Sequence, residues 1–336
     1  FEDALAAANL LPGPASTQLA IYCAWTVGSR AGALVGGLAF VLPGLVATIL
    51  LAALFLGSPP DWLRGAGAGA GAAVAVVAVH AALPLLRPVL ARRARLRARG
   101  LLYAALGAAA AALLGPWLVA VLLACGVIEL GLRIPVRAVR RAVDALLLAR
   151  LELVAALGAA AGGLVWTGLK VGALSYGGGF VIVPLMQADA VDAHGWMSEA
   201  EFLNAVAIGQ VTPGPVVHTV AVVGYAAAGL AGALLVSAIA FAPSFAFVLL
   251  GAPRLERLAS NVRVRAFLDG AGPAAAGAIL GVAVPLARAL DHAWQVGILG
   301  GACLLLLGLR RGVVLTLVAA GAAGVLAVQL GAPLAG

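Results

Sequence analysis

Pro12-Gly13-Pro14 and Pro213-Gly214-Pro215 both interrupt sequence that is apolar on either side. A Pro-Gly-Pro run breaks a helix wherever it falls. Proline lacks the N–H donor and its ring clashes with the preceding turn, and glycine frees the chain to reverse. In apolar sequence that break tolerates few environments: irregular backbone at membrane depth survives only where protein buries it or where it lines a cavity. The surroundings of the two breaks are also alike. Phe1-Glu2-Asp3-Ala4 through Pro14 aligns without a gap with Phe202-Leu203-Asn204-Ala205 through Pro215. Downstream, Gly32-Ala33-Leu34 matches Gly232-Ala233-Leu234, Pro43 matches Pro243, Gly65-Ala66-Gly67 matches Gly270-Ala271-Gly272, and Val77-Ala78-Val79 matches Val282-Ala283-Val284. Small apolar matches are cheap in Ala/Gly-rich sequence, but the shared break with its ordered followers is not. The chain reads as two copies of one unit.

Composition places both copies in a membrane. Of 336 residues, 64% are hydrophobic and 10% charged, with a mean hydropathy of +1.11. Soluble domains run at roughly 45–50% apolar and about 25% charged, so a soluble globule and a disordered chain are both excluded. Cys23, Cys125 and Cys303 are too few for a disulfide scaffold, show no metal or redox spacing, and read as small buried hydrophobes. Apolar runs predict spans over 15–28, 31–56, 66–86, 100–114 and 117–131, then 152–175, 215–229, 231–250, 270–287, 294–309 and 312–331. The expected fold is an all-α polytopic membrane protein, two inverted-topology repeats with broken or re-entrant helices at the Pro-Gly-Pro sites.

The inversion is read from the arginines. Net charge is +8, from 20 Arg and one Lys against 13 acids. The arginines cluster between apolar runs, as cytoplasmic loops do, rather than as a nucleic-acid surface. Arg87, Arg92, Arg93, Arg95, Arg97 and Arg99 follow the 66–86 span. In the second copy the basic loop (Arg254, Arg257, Arg263, Arg265) precedes the matching span, and 288–293 is nearly neutral. The last hairpin turns at Gly115-Pro116 in one copy and at Arg310-Arg311 in the other. Opposite orientation explains both differences. The units are 1–131 and 151–336, joined by a basic cytoplasmic linker at 132–150. The second copy has roughly 50 residues before its matching point and the first has none, so the first copy's opening helix and loop are expected to be missing. Gly28/Gly32/Gly36 spacing permits close helix packing, within the chain or between copies in a homo-oligomer.

Several elements carry candidate chemistry. Each Pro-Gly-Pro, with short segments on either side, suggests a hairpin reaching mid-membrane and returning. The helix leaving it presents free N–H groups and about half a positive charge, which favours an anion; a kink that only shapes packing is the alternative. Flanking polar residues are Asn9, Ser16, Thr17 and Gln18 in one copy and Gln210, Thr212, His218 and Thr219 in the other. They suit an oxyanion, or else interhelical hydrogen bonds. Lys170, the single lysine, lies in an apolar span, where it must pair with a charge or reach the surface. Ser175-Tyr176-Gly177-Gly178-Gly179 breaks the helix after it, and a second helix is expected over about 180–191. Ser198 with Glu201 forms a capping box. Glu199, Glu201 and His218 are candidate coupling groups, the glutamates alternatively solvated caps. Asp189-x-x-Asp192 is half of a metal-diphosphate site, the one hint of a membrane-embedded enzyme. No catalytic set, cofactor site or metal site is expected.

At these residues the chain resembles the chromate ion transporter family. The stretches that carry the likeness are LLPGPASTQLA within 1–43, and KVGALSYGGGFVIVPLM, GWMSEAEFLNAVAIGQVTPGP and VGYAAAGLAGA within 170–233. The resemblance implies a multi-pass carrier of the bacterial inner membrane, with homologous, oppositely oriented halves. It implies export of chromate driven by the membrane potential or proton gradient, with sulfate or another oxyanion as the alternative cargo. The family's first half should open with its own helix, glycine-rich element and Trp-x-Ser/Thr-x-x-Glu cap, which this chain lacks. The expected binding residues are Lys170, Ser175, Gly177, Gly178 and Gly179, with Asn9, Pro12, Gly13, Pro14, Ser16 and Thr17, and Gln210, Thr212, Pro213, Gly214 and Pro215.

Overall fold

Sequence this poor in polar side chains has one local way to pair its backbone N–H and C=O groups without water, the helix. The computed structural model describes residues 13–57, 59–114, 118–133, 162–175, 179–251 and 261–334, and among them there is no strand. The helices are α1 (Ala15–Leu56), α2 (Asp61–Leu90), α3 (Ala94–Leu113), α4 (Leu118–Arg133), α5 (Gly163–Leu174) and α6 (Ile182–Gln187, prolonged by a π-helical stretch, Ala188–Ala193). They continue with α7 (Glu199–Val211), α8 (Thr219–Gly251, entered through a 3-10 turn at Val216–His218), α9 (Val262–Arg288), α10 (Ala293–Cys303, prolonged by a π-helical stretch, Leu304–Gly308) and α11 (Val313–Gln329). Five of these, α1, α2, α3, α8 and α9, are long and apolar enough to cross a membrane. The protein is a polytopic, all-helical membrane protein. The linker after Arg133, the Gly115-Pro116 tip, Arg254 and Arg257 lie outside the described residues, as do Asn9, Pro12, Gly177 and Gly178.

The longest helix is not one rod. Its 42 residues would measure about 63 Å, twice the hydrocarbon thickness of a bilayer. It leaves helical geometry at Gly28 and at Ser29, whose φ is +54°. Beyond the break it doubles back: Gly36 sits against Ala24 and Gly37 against Ile21. Twelve residues of straight helix would hold Gly36 about 18 Å from Ala24. Helix α8 breaks in the same way at Ala228 and at Gly229 (φ +59°), and Gly224 then packs on Gly232 and Val236. Gly32 and Gly36 are thus spent within the chain, on the arm they fold against.

The second arms of α1 and α8 run antiparallel. Gly37 meets Phe245, while Gly44 meets His218, whose ring packs edge-on against Phe241 at 5.4 Å. Advancing along one arm therefore retreats along the other. The remaining helices interlock. Gly65 and Gly69 of α2 press onto Gly324 of α11, and Gly67 and Gly71 face Asn204 of α7. Gly277 and Gly281 of α9 seat on the carbonyls of Ala104 and Ala108 in α3, and Gly270 on that of Cys125 in α4. The closest approaches are made where a side chain is absent, as membrane helices require. Leu34, Leu38, Leu42, Val46, Leu50 and Leu54 form an exposed apolar stripe down the second arm of α1. The cysteines differ from the sequence expectation: Cys125 is buried, but Cys23 is half-buried and Cys303 exposed, because the outer face of a membrane helix is itself apolar.

Charge collects at one end. Arg92, in the turn between α2 and α3, pairs with Asp269 of α9 at 2.5 Å, and Arg133, at the end of α4, pairs with the same carboxylate at 2.7 Å. Glu129, 2% exposed, accepts from Arg99 at 2.8 Å, Arg133 at 2.7 Å and the Tyr103 hydroxyl at 3.1 Å. Breaking a buried pair typically costs about 3–5 kcal/mol. Here Arg99 and Arg133 are 30% and 32% exposed, so solvent screens part of that. Glu129→Gln is expected to destabilise the detergent-solubilised protein by about 1–2 kcal/mol. A thermal melt read by intrinsic fluorescence checks this, and an unchanged midpoint would show the network to be idle.

Candidate functional site

The second Pro-Gly-Pro is built by the end of α7. Ser198 caps that helix, accepting from the Glu201 backbone N–H at 3.2 Å while the Glu201 carboxylate accepts from the Ser198 N–H at 2.7 Å. The helix runs thirteen residues and stops at Val211, two residues past Gly209, which packs on Thr219 across the break. Thr212 donates to the Ile208 carbonyl at 3.0 Å and accepts from Thr48 of α1 at 3.1 Å, tying the break to the other broken helix. Gly214 takes φ +123°, a region costly to any residue with a Cβ. Pro213 and Gly214 are exposed between the buried Thr212 and Pro215, so this turn borders open space.

The first Pro-Gly-Pro is described from Gly13 onward. Gly13 takes φ +131°, close to its counterpart, and α1 starts directly at Ala15. The two turns cross over. A Cβ on Gly13 would lie 3.2 Å from Ser244 Oγ, beside Pro243 in α8. A Cβ on Gly44, beside Pro43 in α1, would lie 2.5 Å from His218 Cε1 and also against the Pro213 carbonyl. Each turn therefore faces the proline-containing bend of the other broken helix. Thr17, Ser175, His218 and Ser244 are all fully buried. Among the described residues no hydrogen-bond partner reaches the hydroxyls of Thr17, Ser175 or Ser244, and the His218 ring lies against the Val41 backbone. Gln210 is half-buried with its amide nitrogen also unmatched, while Ser16 is exposed. Buried polar atoms are nearly always satisfied, and here unsatisfied ones gather near two helix starts.

The glycine-rich element reaches the same region. Helix α5 ends at Leu174 with Ser175 as its cap, and Gly179 (φ +92°) begins the return; a Cβ there would lie 3.2 Å from Val216 Cβ, next to Pro215, and 3.7 Å from Ser175 Oγ. Lys170 is engaged by a residue that sequence reading assigned elsewhere. Its ammonium pairs with Asp189 at 2.5 Å and lies 5.5 Å from the Trp166 ring centre. The other Asp189 oxygen accepts from Thr167 at 2.8 Å. Asp192 is exposed, and the two aspartates form no paired acid site. Glu199 and Glu201 are exposed at the start of α7. A cavity of about 600 Å³ opens at that end, lined by Arg64, Ser198, Glu201, Asn204 and Gln295 among others. Among the described residues no group of three His, Cys, Asp or Glu could hold a metal ion.

Sequence reading missed Ser244, Thr48 and Gly44. The signal was present in the matched Pro43 and Pro243, each followed by a small residue, but their facing the opposite Pro-Gly-Pro is a tertiary fact.

A family model, Chromate transporter, matches residues 1–130 and 162–325. The chain belongs to the chromate transporter family. It is 31% identical over 302 residues to the chromate transport protein of Cupriavidus metallidurans, covering 86% of this chain and 73% of that one. It is 31% identical over 313 residues to the chromate transport protein of Pseudomonas aeruginosa, with 86% and 71% covered. A probable chromate transport protein of Synechococcus elongatus is 29% identical over 300 residues, with 87% and 75% covered. No solved structure matches.

Gly214→Ala forces a Cβ into the left-handed region and to 2.7 Å from His218 Cε1. The strain is about 1–3 kcal/mol, and displacement of a positioned group by about 1 Å costs on the order of a hundredfold in a site's rate. The variant is expected to reach the membrane at near wild-type levels yet lose at least tenfold in oxyanion transport. Equal transport rates per molecule of protein would show that this turn does not shape the site.

Proposed function

We propose that this transporter-family protein carries chromate out of the cytoplasm across the bacterial inner membrane. Two oppositely oriented copies, 1–131 and 151–336, joined through 132–150, bind the anion between the two Pro-Gly-Pro turns. One observation carries the reading. Two glycines at φ +131° and +123° each face the proline-containing stretch of the other broken helix, with the buried Ser244 hydroxyl beside one and the buried His218 imidazole beside the other. The antiparallel second arms of α1 and α8 support the inversion.

The chemistry fits a tetrahedral dianion. Helix starts offer N–H groups and the positive end of the helix dipole. Thr17, Ser175, Ser244 and His218 supply neutral donors, and Gln210 and Thr212 extend the set; Asn9, Pro12, Gly177 and Gly178 are assigned with them by position in sequence. An inside-negative potential drives a dianion outward unaided, at about 2.3 kcal/mol per charge per 100 mV. Sulfate has the same shape and charge as chromate and is expected to compete for the site.

Inverted membrane vesicles from cells expressing the protein are expected to accumulate radiolabelled chromate when energised. A protonophore should abolish the accumulation and excess sulfate should reduce it. Accumulation equal to that of vesicles lacking the protein would overturn the reading. Accumulation in right-side-out vesicles instead would keep the carrier and reverse its direction.

A further inference from the structure

Lys170 and Asp189 are the ion pair the anion site leaves unused. They zip a hairpin. Gly163 abuts His194 at one end, Lys170 and Thr167 meet Asp189 in the middle, and Ser175 approaches Gly179 at the tip. That tip touches Val216, at the entry to α8 beside Pro215. Asp189 is buried and Lys170 largely covered, with side-chain exposures of 9% and 15%. Asp189 sits on a π-helical stretch, a distortion frequent at functional sites.

A structural role explains the pair poorly. Taking two charges out of water costs several kcal/mol per ion, and apolar replacements of a buried pair are often neutral or stabilising. Glu129 shows what a structural carboxylate looks like in this protein: two guanidinium groups and a phenol hold it at the charged rim. Asp189 has one ammonium and one hydroxyl. Lys170 has one carboxylate and an aromatic face. Neither charge has a reserve partner, so whatever neutralises one releases the other. Other ionisable groups nearby are Asp192 and His194 on the same turn and Glu199 and Glu201 at the exposed start of α7. The second arm of α8, which packs on α5 through Val236, Ile239 and Ala240, carries no carboxylate, imidazole or cation.

We propose that Asp189 is the proton site of the carrier and Lys170 its exchangeable counter-ion. When a divalent oxyanion enters, one proton from solvent adds to the Asp189 carboxylate. The ammonium, freed from Asp189, then balances the anion, and the hairpin tip beside Pro215 is released. The loaded site, with Lys170 cationic, Asp189 neutral and the dianion present, carries one net negative charge, against two if the proton stayed away. Each turnover then moves one anion with one proton, and an inside-negative potential still drives that net negative charge outward. The inference rests on the oxyanion-carrier reading above.

The test measures chromate binding to the purified full chain by calorimetry, at alkaline pH where chromate is the dianion. Buffers of different ionisation heat reveal protons taken up per anion. The wild type is expected to take up about one proton per anion, and its affinity therefore to fall about tenfold per pH unit as the pH rises. Asp189→Asn is expected to bind with no proton uptake and a flat pH profile, and Asp189→Glu to restore both. Lys170→Met combined with Asp189→Met leaves no buried charge, so it should fold and bind weakly without proton uptake. Wild-type proton uptake in Asp189→Asn or in the double variant would overturn the assignment. If the wild type binds neither chromate nor sulfate, the carrier reading itself fails and takes this inference with it.

Discussion

Every backbone N–H and C=O that enters a membrane needs a partner, and the hydrocarbon supplies none. The rest of this structure depends on that constraint. Continuous helices satisfy it locally, but the breaks at Gly13, Gly28–Ser29, Gly179, Gly214 and Ala228–Gly229 do not. Gly13 and Gly179 are buried against other elements and the Pro213 carbonyl lies against Gly44, whereas Gly28–Ser29 and Ala228–Gly229 turn where no described residue packs on Gly28 or Gly229. The Pro-Gly-Pro of each broken helix faces the bend of the other, and the reversed arms fold onto their own first halves. Enclosure requires close approach, which explains why Gly65, Gly69, Gly277 and Gly281 sit on neighbouring backbones rather than on side chains.

The same enclosure gives weak parts the strength that the proposed anion site asks of them. A helix start in water is worth little, because solvent screens its dipole. Between packed helices that screening is lost, and a neutral N–H or hydroxyl becomes a strong donor to an anion. The unmatched hydroxyls of Thr17, Ser175 and Ser244 and the imidazole of His218 stand in such surroundings. Full charges are kept apart from them. One group, around Glu129 and Asp269, joins α2, α3, α4 and α9 at the rim. The other, Lys170 with Asp189, closes the hairpin whose tip meets the second Pro-Gly-Pro turn. A heavily shared carboxylate holds helices together, whereas a sparsely shared one can change partners.

The sequence by itself determined that the chain is helical and membrane-embedded, because 64% apolar content with 10% charge admits no water-covered surface. It also located the breaks, since Pro-Gly-Pro cannot continue a helix, and the capping box at Ser198, since capping depends on residues within one turn. These are local or compositional properties, and they are readable because their causes lie close together in the chain. Partnership was decided only by the tertiary structure. Lys170 reads as a charge awaiting an anion until the hairpin brings Asp189 to it, nineteen residues on. Ser244 and Gly44 read as lining of apolar helices until the crossover sets each against the opposite turn. Which carboxylate neutralises which cation, and which hydroxyl is left without a partner, depends on how whole helices pack, and packing energy is summed over surfaces that no single stretch of sequence contains.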